Sequence, residues 1–194
     1  MAEKLIEKAI KYVNNLFEEK ANGNYTYHNL AHTAAVAKTA DIIGKAENLS
    51  PEDLEIVVLA AWFHDVGYFS NPDTHEEEGA KLAEEFLIEE NFQREKINKI
   101  KSCILATTVP QRPKNLLEEI LCDADLHHLG SDNFSARNEL YRIELEKTKG
   151  IRFNNAGWLQ HNIDFFTQHK YFTHYALENF DKKKSENLLN LQIN

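Results

Sequence analysis

The eight residues Ile56-Val57-Val58-Leu59-Ala60-Ala61-Trp62-Phe63 are apolar without a break and end in His64-Asp65. A helix with no polar stripe belongs where it is packed on every side, so this run predicts the central helix of the molecule. It is far shorter than the roughly 20 apolar residues that cross a bilayer, which makes it a core element and not a membrane span. Start signals stand in front of it: Ser50 as N-cap, Pro51 at the first helical position and Asp53 at the third. Helical spacing then sets His64 over Ala60 and Val57, and Asp65 over Ala61 and Val58, at the end of that buried helix. An ionised carboxylate there costs several kcal/mol unless a basic residue, backbone amides or a cation neutralises it.

The rest of the chain repeats the helical period. Glycine and proline are few, at seven and four in 194 residues, strict alternation is rare, and apolar residues recur at spacings of three and four from end to end. These patterns predict a single all-α domain over 1–194, with helices at about 2–21, 30–47, 51–64, 75–91, 94–107, 114–129, 134–148, 155–168 and 173–191. Short turn clusters separate them, among them Asn22-Gly23-Asn24, Ser70-Asn71-Pro72-Asp73, Val109 to Pro113 and Gly130-Ser131-Asp132. The run Lys182-Lys183-Lys184 reads as a solvated face. Cys103 and Cys122 lie in apolar-periodic stretches and read as reduced core residues.

Charge narrows the range of ligands. With 22 Lys+Arg against 31 Asp+Glu the net charge is −9, which repels a nucleic-acid polymer. A phosphate-bearing ligand would have to be small and held by a local positive centre such as a metal. The N-terminus Met1-Ala2-Glu3-Lys4 opens a charged amphipathic pattern and not a secretory signal, so the expected location is the cytoplasm, with no membrane partner.

Two further helices supply inward polar groups. His32 shares a stripe with Val36, Thr39 and Ile43. Asp125 continues the stripe of Leu117 and Leu121, whereas Asp123, about 200° round the helix, stacks over Glu119 on a more polar side. His32, His64, Asp65 and Asp125 together form a mixed nitrogen and oxygen set suited to Mn, Fe, Co, Ni or Zn, with Mg also admissible. Buried ion pairs and helix caps are the other uses of such residues.

In the order His32, His64-Asp65, Asp125 the chain resembles the H…HD…D pattern of the HD-domain superfamily of metal-dependent phosphohydrolases. The flanks Tyr27-His28-Asn29-Leu30-Ala31-His32, Ala60-Ala61-Trp62-Phe63-His64-Asp65-Val66-Gly67-Tyr68, His75-Glu76-Glu77-Glu78-Gly79-Ala80 and Asp123-Ala124-Asp125-Leu126 are similar to segments of that superfamily. They follow one another in order across residues 27–130, and helices over 134–191 would complete the bundle. The resemblance implies a cyclic-nucleotide-phosphodiesterase-like helical bundle in which His32, His64, Asp65 and Asp125 bind the metal. It also implies hydrolysis of a small phosphate ester, a nucleotide phosphomonoester or cyclic phosphodiester, by a metal-activated water that Asp65 orients.

Departures from the pattern are informative. His75 resembles a histidine of two-metal branches, but where those carry a further histidine this chain reads Leu105-Ala106-Thr107-Thr108, which favours one ion over two. Some branches place a catalytic acid where this chain has Tyr68 and Phe69, leaving His75, Glu76 or Glu77 as the acid–base candidates; a helix dipole also favours glutamates in a first turn. His28 precedes a helix whose free amides could bind phosphate, with Asn29 as N-cap the structural alternative. Arg112 and Lys114 are candidates to grasp a substrate phosphate, and His128, one turn from Asp125, to support the ligands or the substrate. His127 reads as surface, and His161 and His169 as core or rim. A diiron oxygenase of the same superfamily, or a metal-binding sensor without turnover, are the alternative functions.

Overall fold

The computed structural model describes residues 2–20 and 23–193. The end of the first predicted helix at 21, and Asn22 of the turn that follows, lie outside those residues. Ten α-helices form among them: α1 (Ala2–Lys20), α2 (Leu30–Ala46), α3 (Pro51–Phe63), α4 (His75–Glu89), α5 (Arg94–Ala106), α6 (Leu116–Asp125), α7 (Phe134–Lys149), α8 (Asn155–Gln168), α9 (His174–Asn179) and α10 (Asp181–Ile193). Single 3-10 turns occupy Val66–Phe69 and Leu126–Gly130. No described residue is in a strand, and no helix is long and apolar enough to cross a membrane.

The all-round apolar run is the centre of the bundle. Helix α3 packs against α1, α2, α4, α5 and α6, and within it Ile56 to Ala61 and Phe63 are buried. Ser50 caps it by accepting from Asp53 N at 3.1 Å. Cys103 and Cys122 are buried and unpaired; burial pushes the Cys103 thiol up to about 12. A smaller apolar cluster of Leu126, Leu129, Phe134 and Phe166 joins the C-terminal helices to the turn after α6.

The turn after α3 is held by two glycines at backbone contact. A Cβ on Gly67 would lie 2.0 Å from the His75 carbonyl oxygen and 2.7 Å from Gly79 N, and one on Gly79 would lie 2.7 Å from the Phe63 carbonyl oxygen. The start of α4, with His75, is thereby pressed against the residues that follow Asp65. Gly67→Ala must push two backbones apart, and an expected destabilisation of about 3 kcal/mol would be read as a lower urea midpoint. Gly150 is a contrast, with φ +65° at the α7 C-cap and open space around its Cα. Gly150→Ala should cost only about 1 kcal/mol.

Three expectations need correcting. The predicted helix 173–191 is two helices, because the chain bends at Phe180 (φ −115°, ψ −30°), where Gly130 lies directly on the Phe180 backbone. Lys184 is not on a solvated face: it is buried, its Nζ donates to the His169 carbonyl at the end of α8, and it lies 5.6 Å from the Tyr171 ring centre. Asp123 is not on a polar surface either. It is fully buried and accepts from Phe172 N (3.0 Å), Thr173 N (2.8 Å) and Thr173 Oγ1 (2.7 Å), while Thr173 Oγ1 in turn caps α9 by accepting from Ala176 N. The polar side of α6 is covered by a segment some fifty residues away. Asp123→Ala leaves those donors buried and unpaired, with an expected loss of about 3 kcal/mol in chemical denaturation.

Candidate metal centre

Three helix ends meet to form the centre. His32 lies in the first turn of α2, whose N-cap Asn29 accepts from His32 N at 3.1 Å. His64 and Asp65 follow the last turn of α3, and Asp125 ends α6. His32 Nε2 lies 3.2 Å from Asp65 Oδ2 and 3.3 Å from Asp125 Oδ1, and His64 Nε2 lies 3.1 and 3.6 Å from the same two oxygens. Bonds of about 2.0–2.2 Å to one ion set neighbouring donors roughly 2.8–3.6 Å apart, from octahedral to tetrahedral geometry. His32, His64 and Asp125 thus offer ligand atoms that all lie within 4.8 Å of one another, and Asp65 Oδ2 stands beside the same two imidazoles.

Their hydrogen bonding agrees. His32 Nε2, His64 Nε2 and Asp65 Oδ2 are buried without a hydrogen-bond partner, an arrangement costly unless something else takes the lone pairs. His64 Nδ1 donates to the Ala61 carbonyl oxygen at 2.7 Å, which leaves the Nε2 lone pair directed inward, as a metal ligand requires. Burial disfavours the charged form of every member, yet the groups hold one another charged. The Asp125 and Asp65 carboxylates close to its Nε2 raise the His32 imidazole, and the nearby Asp65 charge raises His64 well above its ordinary range. The His64 charge holds Asp65 well below the carboxylate range, and the adjacent His32 and His64 imidazoles lower Asp125. A divalent cation satisfies the same two carboxylates without protonating the imidazoles.

The centre opens into a cleft of about 390 Å³ whose lining includes Asp65, Asp125, His28, Tyr68, His75 and Tyr141. His75 Nδ1 donates to the Pro72 carbonyl oxygen (3.1 Å), with the buried Glu76 carboxylate 3.3 Å away, and its Nε2 lies 3.9 Å from Asp65 Oδ1. Burial lowers the His75 imidazole despite the neighbouring carboxylates. Tyr68 lies between two imidazoles, its ring centre 3.9 Å from His28 on one side and 3.9 Å from His75 on the other. The position without an acid is thus an aromatic spacer that sets both histidines. Thr107 and Thr108 also line the cleft.

His28 lies in the segment before α2, where Tyr27 N (2.7 Å) and His28 N (2.9 Å) both donate to Glu144 Oε2, while Asn29 caps the helix itself. The other oxygen of Glu144 is paired with His28 Nδ1. Glu144 is buried in α7, and burial, which opposes its charge, is outweighed by the His28 hydrogen bond, so its carboxyl is lowered. His128 is buried, borders the cleft and bonds with the Tyr27 hydroxyl (3.1 Å). Burial lowers its imidazole to about 3, so it serves as a neutral partner. His127 is half-buried, donating from Nδ1 to the Ala124 carbonyl oxygen, and is not a surface group. His161 is exposed at the cleft wall and stacks on Trp158. Glu77 is exposed, and neither it, Arg112 nor Lys114 borders the cleft.

Sequence reasoning missed Glu144 altogether, along with Asn138, Tyr141 and Lys149, which line the cleft. A signal was present, since Tyr141, Glu144 and Thr148 follow one another at spacings of three and four, which sets the carboxylate on an aromatic stripe.

The family model described as HD domain matches residues 29–130, just over half of the chain. No curated protein matches it. Among solved structures, a predicted HD superfamily hydrolase from an uncultured Thermotogales bacterium is similar at TM-score 0.66 and 20% identity, over 96% of this chain and 88% of that one. A protein of Listeria innocua is similar at 0.69 and 20%, over 100% and 94%. One of Lactobacillus plantarum is similar at 0.71 and 17%, over 98% and 94%.

Proposed function

The chain belongs to the HD-domain family, and from that membership and the geometry of its centre we propose that it is a metal-dependent phosphohydrolase acting on a small phosphate ester. The observation that carries the reading is the His32, His64 and Asp125 cluster, with both imidazole Nε2 atoms and Asp65 Oδ2 buried and otherwise unpartnered beside it. His32, His64, Asp65 and Asp125 would hold one divalent ion, of the Mn, Fe, Co, Ni, Zn class or Mg. When bound, such an ion supplies Lewis acidity toward a phosphoryl oxygen and toward water.

The chain's own groups supply proton handling. Asp65 keeps one oxygen, Oδ1, on the side of His75 and away from the other donors, and from there it accepts a hydrogen bond from the attacking water. His75, anchored by Pro72 and Glu76, shares that task. His28 offers Nε2 to the cleft because Glu144 takes Nδ1. A carboxylate behind an imidazole fixes its ring and orientation, so His28 is placed to protonate the leaving oxygen. Glu144 is the positioning residue. A cleft of this volume matches small-molecule sites of about 300–1,000 Å³, in keeping with a nucleotide monoester or cyclic phosphodiester in a cytoplasmic protein.

Purified protein reconstituted with each metal in turn should contain about one ion per chain and release phosphate from para-nitrophenyl phosphate. Chelation should stop turnover, and re-addition restore it. Metal bound without turnover of any phosphate ester would sink the hydrolase reading and support a sensor; two irons per chain would redirect it to oxygen chemistry.

A further inference from the structure

Tyr27, Tyr68 and Tyr141 border the cleft around His28, and they differ in what their hydroxyls do. The Tyr27 hydroxyl is committed to His128. Those of Tyr68 and Tyr141 have no hydrogen-bond partner among the described residues. Tyr68 takes part through its backbone, its carbonyl oxygen accepting from the Tyr25 hydroxyl at 3.1 Å, and Tyr141 meets Tyr27, His28 and Trp158 through its ring. Neither hydroxyl is among the oxygens sealed in the interior without a partner, so each opens on the cleft that its residue lines.

The two phenols flank one imidazole. Tyr68 covers a face of His28, with ring centres 3.9 Å apart and planes 17° from parallel, and Tyr141 meets the same ring at 5.7 Å and 83°. Burial, then the Asp65 and Tyr141 charges, raises the Tyr68 phenol; burial, then the Glu144 and Asp125 charges, raises that of Tyr141. Both therefore stay neutral donors, in the field of the carboxylates of the metal centre. A phosphate needs donors for its non-bridging oxygens, and the cleft is short of cations to supply them. Lys149 is the one lysine or arginine among the described residues that line it, and its Nζ donates to Asp73 Oδ1 at 2.6 Å. Asp73 and Glu76 add further negative charge to the lining. Uncharged hydroxyls are the donors that remain open.

We propose that the hydroxyls of Tyr68 and Tyr141 are a substrate-binding pair that donates hydrogen bonds to the non-bridging oxygens of the phosphoryl group. The pair rests on the phosphohydrolase reading for the ester that carries this group, and the phosphoryl group alone is enough to test it. Tyr68 then has two separable tasks: its ring spaces His28 from His75, and its hydroxyl meets the ligand. Phenylalanine at that position keeps the first and removes the second.

The test is calorimetric titration of inorganic phosphate into the metal-reconstituted protein. Tyr68→Phe and Tyr141→Phe should each raise the Kd at least about tenfold. Metal content should stay near one ion per chain and Tm within about 2 °C of the unaltered protein, because each variant keeps its ring and loses only an unpartnered hydroxyl. A merely structural role would lower Tm and leave phosphate affinity alone. Losses in kcat/KM should be equal for para-nitrophenyl phosphate and an alkyl phosphate, since both carry the same non-bridging oxygens; losses confined to the alkyl ester would place the hydroxyls on the leaving oxygen and overturn the proposal. So would an unchanged Kd in either variant, or no saturable phosphate binding to the unaltered protein. Turnover by the unaltered protein reports separately on the hydrolase reading. Turnover with phosphate affinity unchanged in the variants sinks the pair alone, and weakened phosphate binding in the variants of a protein that turns over no ester sinks the hydrolase reading alone.

Discussion

Asp125→Ala is expected to yield a folded protein with no bound metal and phosphate-ester turnover reduced at least about a thousandfold, equivalent to roughly 4 kcal/mol of barrier. The size of the effect follows from where Asp125 stands. Its Oδ1 faces both imidazoles, at 3.3 and 3.6 Å, so removing it opens one side of the donor set and leaves His32 and His64 with Asp65 alone. Little else depends on this carboxylate: it ends α6, borders the cleft, and has 16% of its side chain exposed. The fold should therefore survive. Asp123→Ala, two residues earlier, should do the opposite, lowering stability while elemental analysis still finds about one ion per chain. Metal lost from the Asp123 variant and retained in the Asp125 variant would overturn the assignment of the centre.

That pair also shows what was legible in the sequence. His32, His64, Asp65 and Asp125 could be read because each lies at the end of an apolar stripe, where a polar group is out of place unless it has a task. The central helix could be read for the same reason, being apolar on every face. Asp123 could not, because its helix alone gives it a polar face, and what covers that face is the backbone of Phe172 and Thr173. Lys184 and the bend at Phe180 were hidden likewise: local pattern favours one exposed helix, and only packing against His169 and Gly130 decides otherwise. Arg112 and Lys114 were inviting as cations near a loop, yet neither borders the cleft. Glu144 is separated from His28 by 116 residues, and no short-range pattern links a carboxylate to an imidazole that far away.

The His28–Glu144 pair carries the second large prediction. Aligned proton transfer to a leaving group contributes about 10²–10⁴-fold, and it matters most when the leaving alkoxide is a poor one. His28→Asn should therefore lower kcat for an alkyl phosphate by about 10²–10⁴-fold while lowering kcat for para-nitrophenyl phosphate less than about tenfold, since nitrophenolate leaves without help. Metal content should stay near one ion, because His28 is not among the donors. Glu144→Gln keeps an acceptor for Tyr27 N and His28 N but removes the carboxylate paired with His28 Nδ1, so its losses should follow the same leaving-group pattern at smaller size. Equal losses for both substrates would show that His28 binds the phosphate and does not protonate the leaving oxygen. The proton would then have to come from His75, the other imidazole against Tyr68, and His75→Asn would be the variant to show the leaving-group dependence.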